Sequence, residues 1–206
     1  MVRCAAFKDR PAQADMLHVD LWWRGQNIAI DPGTYSYNAP DPWDNPLAHT
    51  AYHNTVTVDG HDQMERISKF IWLPWLRGEV RCMKRSSKGH IGYWEGTHDG
   101  YTRLRDPVWH RRGILQLGAE TWLVIDRIRG KPLHRYRLHW LFPNVEHDWN
   151  ESQGLLMLST AAGPYHIRTQ SLEGMGFYSL VRGDEKSPRA GVRLIIHTGN
   201  RPYLLI

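Results

Sequence analysis

Apolar and polar residues alternate with a period of two along much of this sequence, whereas helical spacing is scarce. Successive side chains of a β-strand point to opposite faces, so this alternation predicts strands. Residues 17–23 place apolar side chains at every odd position, opposite His18 and Asp20, and residues 135–142 repeat the pattern. The predicted strands cover residues 17–23, 54–58, 78–83, 91–95, 113–117, 122–128, 136–142, 155–159, 165–169 and 177–181.

Clusters of Gly, Pro, Asn and Asp separate these segments, as turns between short strands require. They fall at residues 31–33, 38–46, 59–60, 98–100, 130–132 and 183–184. We therefore predict an all-β fold, a large antiparallel two-sheet β-sandwich of about a dozen strands with few or no helices. Residues 1–206 show no repeat and no linker, so we expect a single domain.

Composition narrows the class of protein. The 206 residues include 10 Trp and 9 Tyr, which is typical of a folded chain with a substantial core. No segment approaches the ~18 consecutive apolar residues of a membrane-spanning helix. The formal charge of +5 favours an acidic partner, but the basic residues form short clusters, which argues against a nucleic-acid-binding arm.

Two residues near predicted strand ends have metal-ligand chemistry. Asp31 ends a short strand and His53 opens another, and carboxylate and imidazole are both zinc ligands. Two ligands are too few for a zinc site, so spacing alone does not predict one.

Several short motifs together resemble a known family. They are Gln13-Ala14-Asp15, Asp31-Pro32-Gly33-Thr34-Tyr35, His53-Asn54-Thr55-Val56 and the Asp59-Gly60 turn. In this combination the chain resembles the C-terminal β-sandwich domain of the heparinase II/III-like polysaccharide lyases. The resemblance covers most of the chain up to about Arg189.

The resemblance implies a function. In the family an (α/α) toroid precedes the sandwich, and the two-domain enzyme cleaves a uronate-containing acidic polysaccharide, such as a glycosaminoglycan or alginate, by β-elimination. The resemblance therefore implies that this chain is a fragment that lacks the toroid, its partner within the same protein, and is inactive alone. It also implies a periplasmic or extracellular location, and the chain itself leaves the polysaccharide undecided.

The resemblance also implies a structural zinc, held by Asp31 and His53. The family's third ligand, a histidine, falls on Gln13, and a further family histidine falls on Pro11. Either the zinc is lost and hydrogen bonds replace it, or a neighbouring histidine such as His18 supplies the ligand. We favour the loss of zinc, and so expect no cofactor.

Four residues around the loop that links the motifs are candidates for acid–base chemistry, since β-elimination needs a Tyr or His as base and acid. They are Tyr35, Tyr37, His49 and Tyr52. For Tyr35 and Tyr37, packing with a hydrogen-bonded hydroxyl is the alternative role. For His49 and Tyr52 the alternative is a place in the loop without a chemical role. For substrate binding we propose side chains that match sugar carboxylates or sulfates, or that stack on sugar rings: Arg77, Arg105, Arg112, Trp43 and Trp75.

The last residues, 190–206, do not resemble the family's closing strands. We expect a non-native tail there, caused by a frameshift near Arg189. The alternative to a lyase is a non-catalytic carbohydrate-binding or structural β-sandwich module. Nucleic-acid binding has little support, because the chain lacks the aromatic patterns of RNA-binding sheets.

Overall fold

The computed structural model of the chain describes residues 1–34, 38–40, 44–85, 91–131, 134–170, 181–183 and 203–205. Strands make up 49% of it, with no helix of seven or more residues in those ranges, so the predicted all-β sandwich is confirmed. The strands are β1 (Leu21–Trp23), β2 (Gln26–Ala29), β3 (Val56–Val58), β4 (Glu65–Ser68), β5 (Ile71–Leu73), β6 (Gly78–Arg85), β7 (Ile91–His98), β8 (Trp109–Leu117), β9 (Thr121–Arg129), β10 (Tyr136–Leu138), β11 (Leu141–Pro143), β12 (His147–Asn150), β13 (Leu155–Thr160), β14 (Gly163–Arg168), β15 (Val181–Gly183) and β16 (Tyr203–Leu205).

Helical structure in the described residues is limited to single 3₁₀ turns at Pro46–Ala48, Thr50–Tyr52, Gly100–Arg103 and Glu151–Gln153. None of these is long enough to cross a membrane. Every strand pair is antiparallel. The chain divides into two compact units, the first formed by Met1–Val19 with Ala48–His139 and the second by Asp20–Leu47 with Trp140–Ile206.

The first unit contains the largest sheet, in which β6, β7, β8 and β9 follow one another in chain order. A three-residue turn joins β8 to β9, and Gly118 opens it with a φ of 72°. Glycine adopts this left-handed conformation without steric penalty, which suits it to such turns. The unit also contains the β4–β5 and β3–β10 pairs.

The core of the first unit lies beneath this sheet and combines apolar side chains from distant segments. Met16, Leu17, Met64, Trp72 and Trp94 belong to one cluster of buried residues. Burying a side chain of this size contributes roughly 1.5–3 kcal/mol. The cluster therefore fixes residues 14–17 against the sheet, directly before His18.

The second unit is built from three small sheets, β1–β2, β12–β13–β14 and β11–β16–β15. Arg24 and Gly25 connect β1 to β2 with φ angles of 49° and 77°. Positive φ at both central residues defines the type I′ turn that matches strand twist. Trp23 is buried and packs on Tyr165, with ring centroids 5.1 Å apart.

Two details of the predicted alternation are wrong. The segment 17–23 is not one strand, because Leu17 has a φ of 61° and turns the chain, so that Leu17 and His18 are both buried. The segment 136–142 is interrupted between β10 and β11, where His139 is buried and Tyr136 is 42% exposed. Strands β4, β5 and β12 were not predicted, since their polar and apolar residues do not alternate cleanly.

Candidate functional site

Two histidines meet inside the first unit. His18 and His53 are 1% and 0% exposed, and their rings form an edge-to-face contact with centroids 5.3 Å apart. The backbone N–H of Asn54 donates to Nδ1 of His18 over 2.9 Å, so this nitrogen carries no proton. Burial lowers the pKa of His18 well below its usual value, and the neighbouring His53 lowers it further. His18 is therefore neutral, the form in which imidazole binds metals.

Side chains from the His53 segment fix the backbone around His18. The Thr55 hydroxyl donates to the carbonyl of Met16 over 2.9 Å, and the Asn54 side-chain amide donates to the carbonyl of Val19 over 2.8 Å. Gln63 adds a further bond to the Met16 carbonyl at 2.9 Å. Side chains thus fix the carbonyl groups of Met16 and Val19, on both sides of His18.

Beneath the pair lies a buried ion pair between neighbouring strands. Arg112 on β8 is fully buried, and its Nε and Nη2 each donate to Asp126 on β9 over 2.8 Å. Nη1 of Arg112 donates to the carbonyl of Leu17 over 2.7 Å and also to the carbonyl of Asn54. One guanidinium thereby joins the residue before His18 to the residue after His53.

A buried histidine completes this ion pair. His110 Nε2 lies 2.6 Å from a carboxylate oxygen of Asp126, and its Nδ1 lies 3.2 Å from Nε2 of His98. Burial alone would raise the pKa of Asp126, but the Arg112 guanidinium and the bond with His110 outweigh it and hold this pKa well below its usual value. Asp126 is therefore ionised and neutralises Arg112.

Asp31 lies in the second unit, directly before the Pro32-Gly33 turn. Its Oδ1 accepts the backbone N–H of Gly33 over 2.7 Å, and Gly33 has a φ of 67°. This hydrogen bond within the turn fixes the orientation of the Asp31 carboxylate relative to its own backbone. Asp31, His18 and His53 are all residue types that bind zinc. Gln13 is half-buried.

His49 lies in a different environment from the buried histidines described above. Nδ1 of His49 lies 2.6 Å from Oδ2 of Asp62, and the backbone N–H of Thr50 donates to Oδ1 of Asp62 over 2.8 Å. The His49 and Asp62 side chains are 29% and 22% exposed. A carboxylate that orients a solvent-accessible imidazole is a common arrangement for general acid–base chemistry. Asp62 was not predicted, since nothing in its sequence neighbourhood links it to His49.

The other acid–base candidates differ in location. Tyr52 is 7% exposed and lies in a 3₁₀ turn, which suits a packing role. Tyr35 and Tyr37 lie outside the described residues, as does Trp43. Their proposed roles stay predictions.

The candidate arginines differ in their exposure to solvent. Arg77 and Arg105 are exposed, as is Trp75 at 44%. Arg112 is fully buried and paired with Asp126, a location that argues against contact with a polysaccharide and for a structural role. Its partner Asp126 was missed, because the pair is visible only when β8 and β9 are placed in register.

The strands and their antiparallel pairing define a β-sandwich domain. The family model described as heparinase II/III-like, C-terminal, matches residues 1–202, and the chain belongs to this family. A curated relative, the heparin-sulfate lyase of Bacteroides stercoris, is 25% identical over 139 residues. The match covers 65% of this chain and 18% of the relative, so the chain corresponds to less than a fifth of that lyase.

Solved structures show the same fold. The chain is similar to a structure titled heparinase III, the BT4657 gene product with methylated lysines, with a TM-score of 0.69 and 16% identity over 99% of this chain and 31% of the other. A second structure of that gene product gives a TM-score of 0.63 and 16% identity, over 94% of this chain and 30% of the other. At this identity the likeness concerns the fold.

Proposed function

We propose that this chain acts as the C-terminal β-sandwich of a polysaccharide lyase that cleaves a uronate-containing polysaccharide by β-elimination. The observation that carries the proposal is the family match over residues 1–202, supported by the similarity to a heparin-sulfate lyase. An (α/α) toroid of the same protein supplies the catalytic Tyr and Asn, so the sandwich alone is inactive. The enzyme works in the periplasm or outside the cell, where such polymers occur.

Within this proposal the His49–Asp62 pair takes part in proton transfer. β-Elimination removes the proton on C5 of the uronate, and the glycosidic oxygen leaves from C4, where it gains a proton. Asp62 holds the His49 ring through Nδ1, so Nε2 exchanges the proton. Tyr35 and Tyr37 are alternative groups for the same step, since both precede the His53-Asn54-Thr55-Val56 motif in the sequence.

An assay for unsaturated uronate tests the activity. The full-length gene product and the 206-residue chain are each mixed with heparan sulfate, heparin and alginate, and absorbance of the C4–C5 double bond is followed. We expect product from at least one polymer with the full-length protein and none with the chain alone. Product from the chain alone would disprove the role of the toroid, and no product from either protein would disprove the lyase.

We also propose that a structural zinc ion is bound by His18 and His53, with Asp31 as the carboxylate ligand that the family resemblance assigns. Loss of zinc and replacement of Gln13 by His18 both stay predictions, but the contact between two buried imidazoles, of which His18 is neutral, favours the second. Bound zinc would supply folding free energy and no chemical step. His18 thus replaces the family histidine at position 13.

Metal analysis of the purified chain tests this directly. We expect one zinc ion per chain, lost in His18→Ala and in His53→Ala but retained in the control His61→Ala, whose residue is exposed. A wild-type chain without zinc, after purification without chelators and addition of zinc, would refute the site. Thermal unfolding with and without zinc gives a second, independent readout.

A further inference from the structure

The outer face of the β6–β9 sheet carries a concave, positively charged groove. Its cavity volume is about 800 Å³, and it is lined by residues of the first unit only. Two carboxylates, Glu79 and Asp99, lie among the lining residues. They face a larger set of cationic side chains, namely Arg77, Arg81, Arg111, Arg127, Arg129 and Lys131.

Strand register explains why these side chains share one face. Arg111 on β8 lies opposite Arg127 on β9, and Trp109 lies opposite Arg129. Alternation then turns His110 and Arg112 to the opposite, buried face. Adjacent strands are ~4.8 Å apart and alternate residues ~6.8 Å apart, so the charged groups form a two-dimensional array.

The acidic neighbours neutralise part of this array. Arg81 pairs with Glu79 over 2.7 Å, and Lys131 pairs with Asp106 over 2.6 Å. Arg127 and Arg129 form no ion pair with any residue in the ranges that the structure describes, and both are exposed. Two adjacent guanidinium groups are therefore available to an anionic ligand.

Trp109 adds an apolar surface to the groove. Its side chain is 52% exposed, although tryptophan is usually buried to a large extent. An exposed indole beside arginines fits a ligand that has a flat, partly apolar ring and negative groups at its edge. A sugar ring that bears carboxylate or sulfate has this chemistry, and guanidinium forks match both anions. Single-stranded nucleic acid is a poorer match, because its sites stack successive bases on several aromatic rings, and here one tryptophan lines the described part of the groove.

We propose that this groove binds an anionic polysaccharide segment, with Arg127 and Arg129 on its carboxylate or sulfate groups and Trp109 against a sugar ring. The class of ligand rests on the proposed function, and the groove adds a binding site for that ligand. Binding here is measurable without bond cleavage, so the two can fail separately.

Titration calorimetry of the 206-residue chain with a size-defined heparin oligosaccharide tests the groove. We expect Arg127→Ala/Arg129→Ala to weaken binding on the order of tenfold or more, since charge-assisted hydrogen bonds are the strong ones. The matched control is Arg135→Ala/Arg137→Ala, which removes the same charge at the same spacing from exposed positions of another strand region. This control should bind within about twofold of the wild type, because exposed charges at a distance are screened.

Three further results separate the alternatives. Trp109→Ala should weaken binding, and Trp109→Phe should restore most of it. No binding by the wild type, or equal weakening in the two double variants, would overturn the proposal. Equally tight binding of a single-stranded oligonucleotide, with the same dependence on Arg127 and Arg129, would also overturn it in favour of a general polyanion site. Heparin binding that persists while the full-length protein produces no unsaturated uronate would retain the groove and reject the lyase.

Discussion

Arg112 carries a positive charge at a position without solvent contact, and four hydrogen bonds to Asp126, Leu17 and Asn54 compensate for the missing water. Removing one partner of a buried ion pair leaves the other charge uncompensated, which is far more costly than losing a surface pair. Arg112 therefore matters both for stability and for the geometry of the two histidine segments.

Replacing Arg112 with Met should lower the free energy of unfolding by about 3–5 kcal/mol, because the Asp126 charge stays buried without its guanidinium. Urea unfolding followed by fluorescence measures the change. The control is Arg111→Met, on the same strand, whose side chain is 40% exposed and lies 3.4 Å from Glu95. Its effect should stay below about 1 kcal/mol, and equal effects of the two variants would contradict the structural role.

His139 makes the stability of the first unit depend on pH. Burial lowers its pKa from 6.5 to about 3, and its Nε2 lies 3.0 Å from the Thr57 hydroxyl. The unfolded chain therefore binds a proton at higher pH than the folded chain does. The stability from this group is fully present above about pH 6.5 and is lost as the pH falls toward 3.

Unfolding in urea at a series of pH values from 7.5 to 4 tests this. We expect the free energy of unfolding to fall below pH 6.5, with His139 contributing a slope of up to about 1.4 kcal/mol per pH unit. His139→Gln should remove that part of the slope, whereas His61→Gln, at an exposed position, should leave it in place. His18, His98 and His110 also have lowered pKa values because they are buried, so part of the slope should persist in both variants.

The proton-transfer role that we propose for His49 rests on its contact with Asp62. If the full-length protein has the proposed lyase activity, Asp62→Asn should reduce its kcat by about 10²–10⁴-fold, the usual contribution of a general acid or base. Asp148→Asn, at an exposed position of β12, is the control and should leave kcat unchanged. A normal kcat in Asp62→Asn would assign proton transfer to other groups.

At the scale of elements, the β8–β9 hairpin organises the first unit, because it pairs Arg112 with Asp126 on one face and Arg111 with Arg127 on the other.

The turn of the β8–β9 hairpin begins at Gly118, where an added Cβ would meet no atom within 4 Å. A larger residue would therefore meet no steric clash with its neighbours, and only the positive φ of this position would disfavour it. Gly118→Val should destabilise the chain by roughly 1–2 kcal/mol and Gly118→Asn by less, as thermal or urea unfolding would show. Equal stability of the two variants would contradict the requirement for a left-handed residue.

The sequence allows accurate prediction where alternation is regular. The strand expected over residues 122–128 is β9, which has one further residue at each end. Prediction fails where one residue changes direction, as Leu17 does, because its positive φ leaves no trace in the hydrophobic pattern. The same limit applies to the site. Short motifs identified Asp31 and His53, but the Arg112–Asp126 and His49–Asp62 contacts depend on how distant segments pair, which local patterns do not encode.

At the scale of the whole chain, the formal charge of +5 is unevenly distributed. In the first unit, cationic side chains collect on the exposed face of one sheet, while its buried face holds a neutralised arginine and two neutral histidines, His98 and His110. This face is the one to which we assign the acidic partner that the net charge predicts. Residues 190–206, expected to be a non-native tail, lie outside the described residues except for the backbone of β16, so that expectation stays a prediction.

Arg112 holds the segment before His18 by a carbonyl oxygen, and a carbonyl is the same in every amino acid. The framework beneath the histidines therefore does not depend on which side chains that segment carries. In the proposed zinc site, a ligand can therefore move from position 13 to position 18 without any change in this support. A search for the motif alone would count Gln13 as a lost site, although hydrogen bonds hold the backbone around His18, the ligand that we propose in its place.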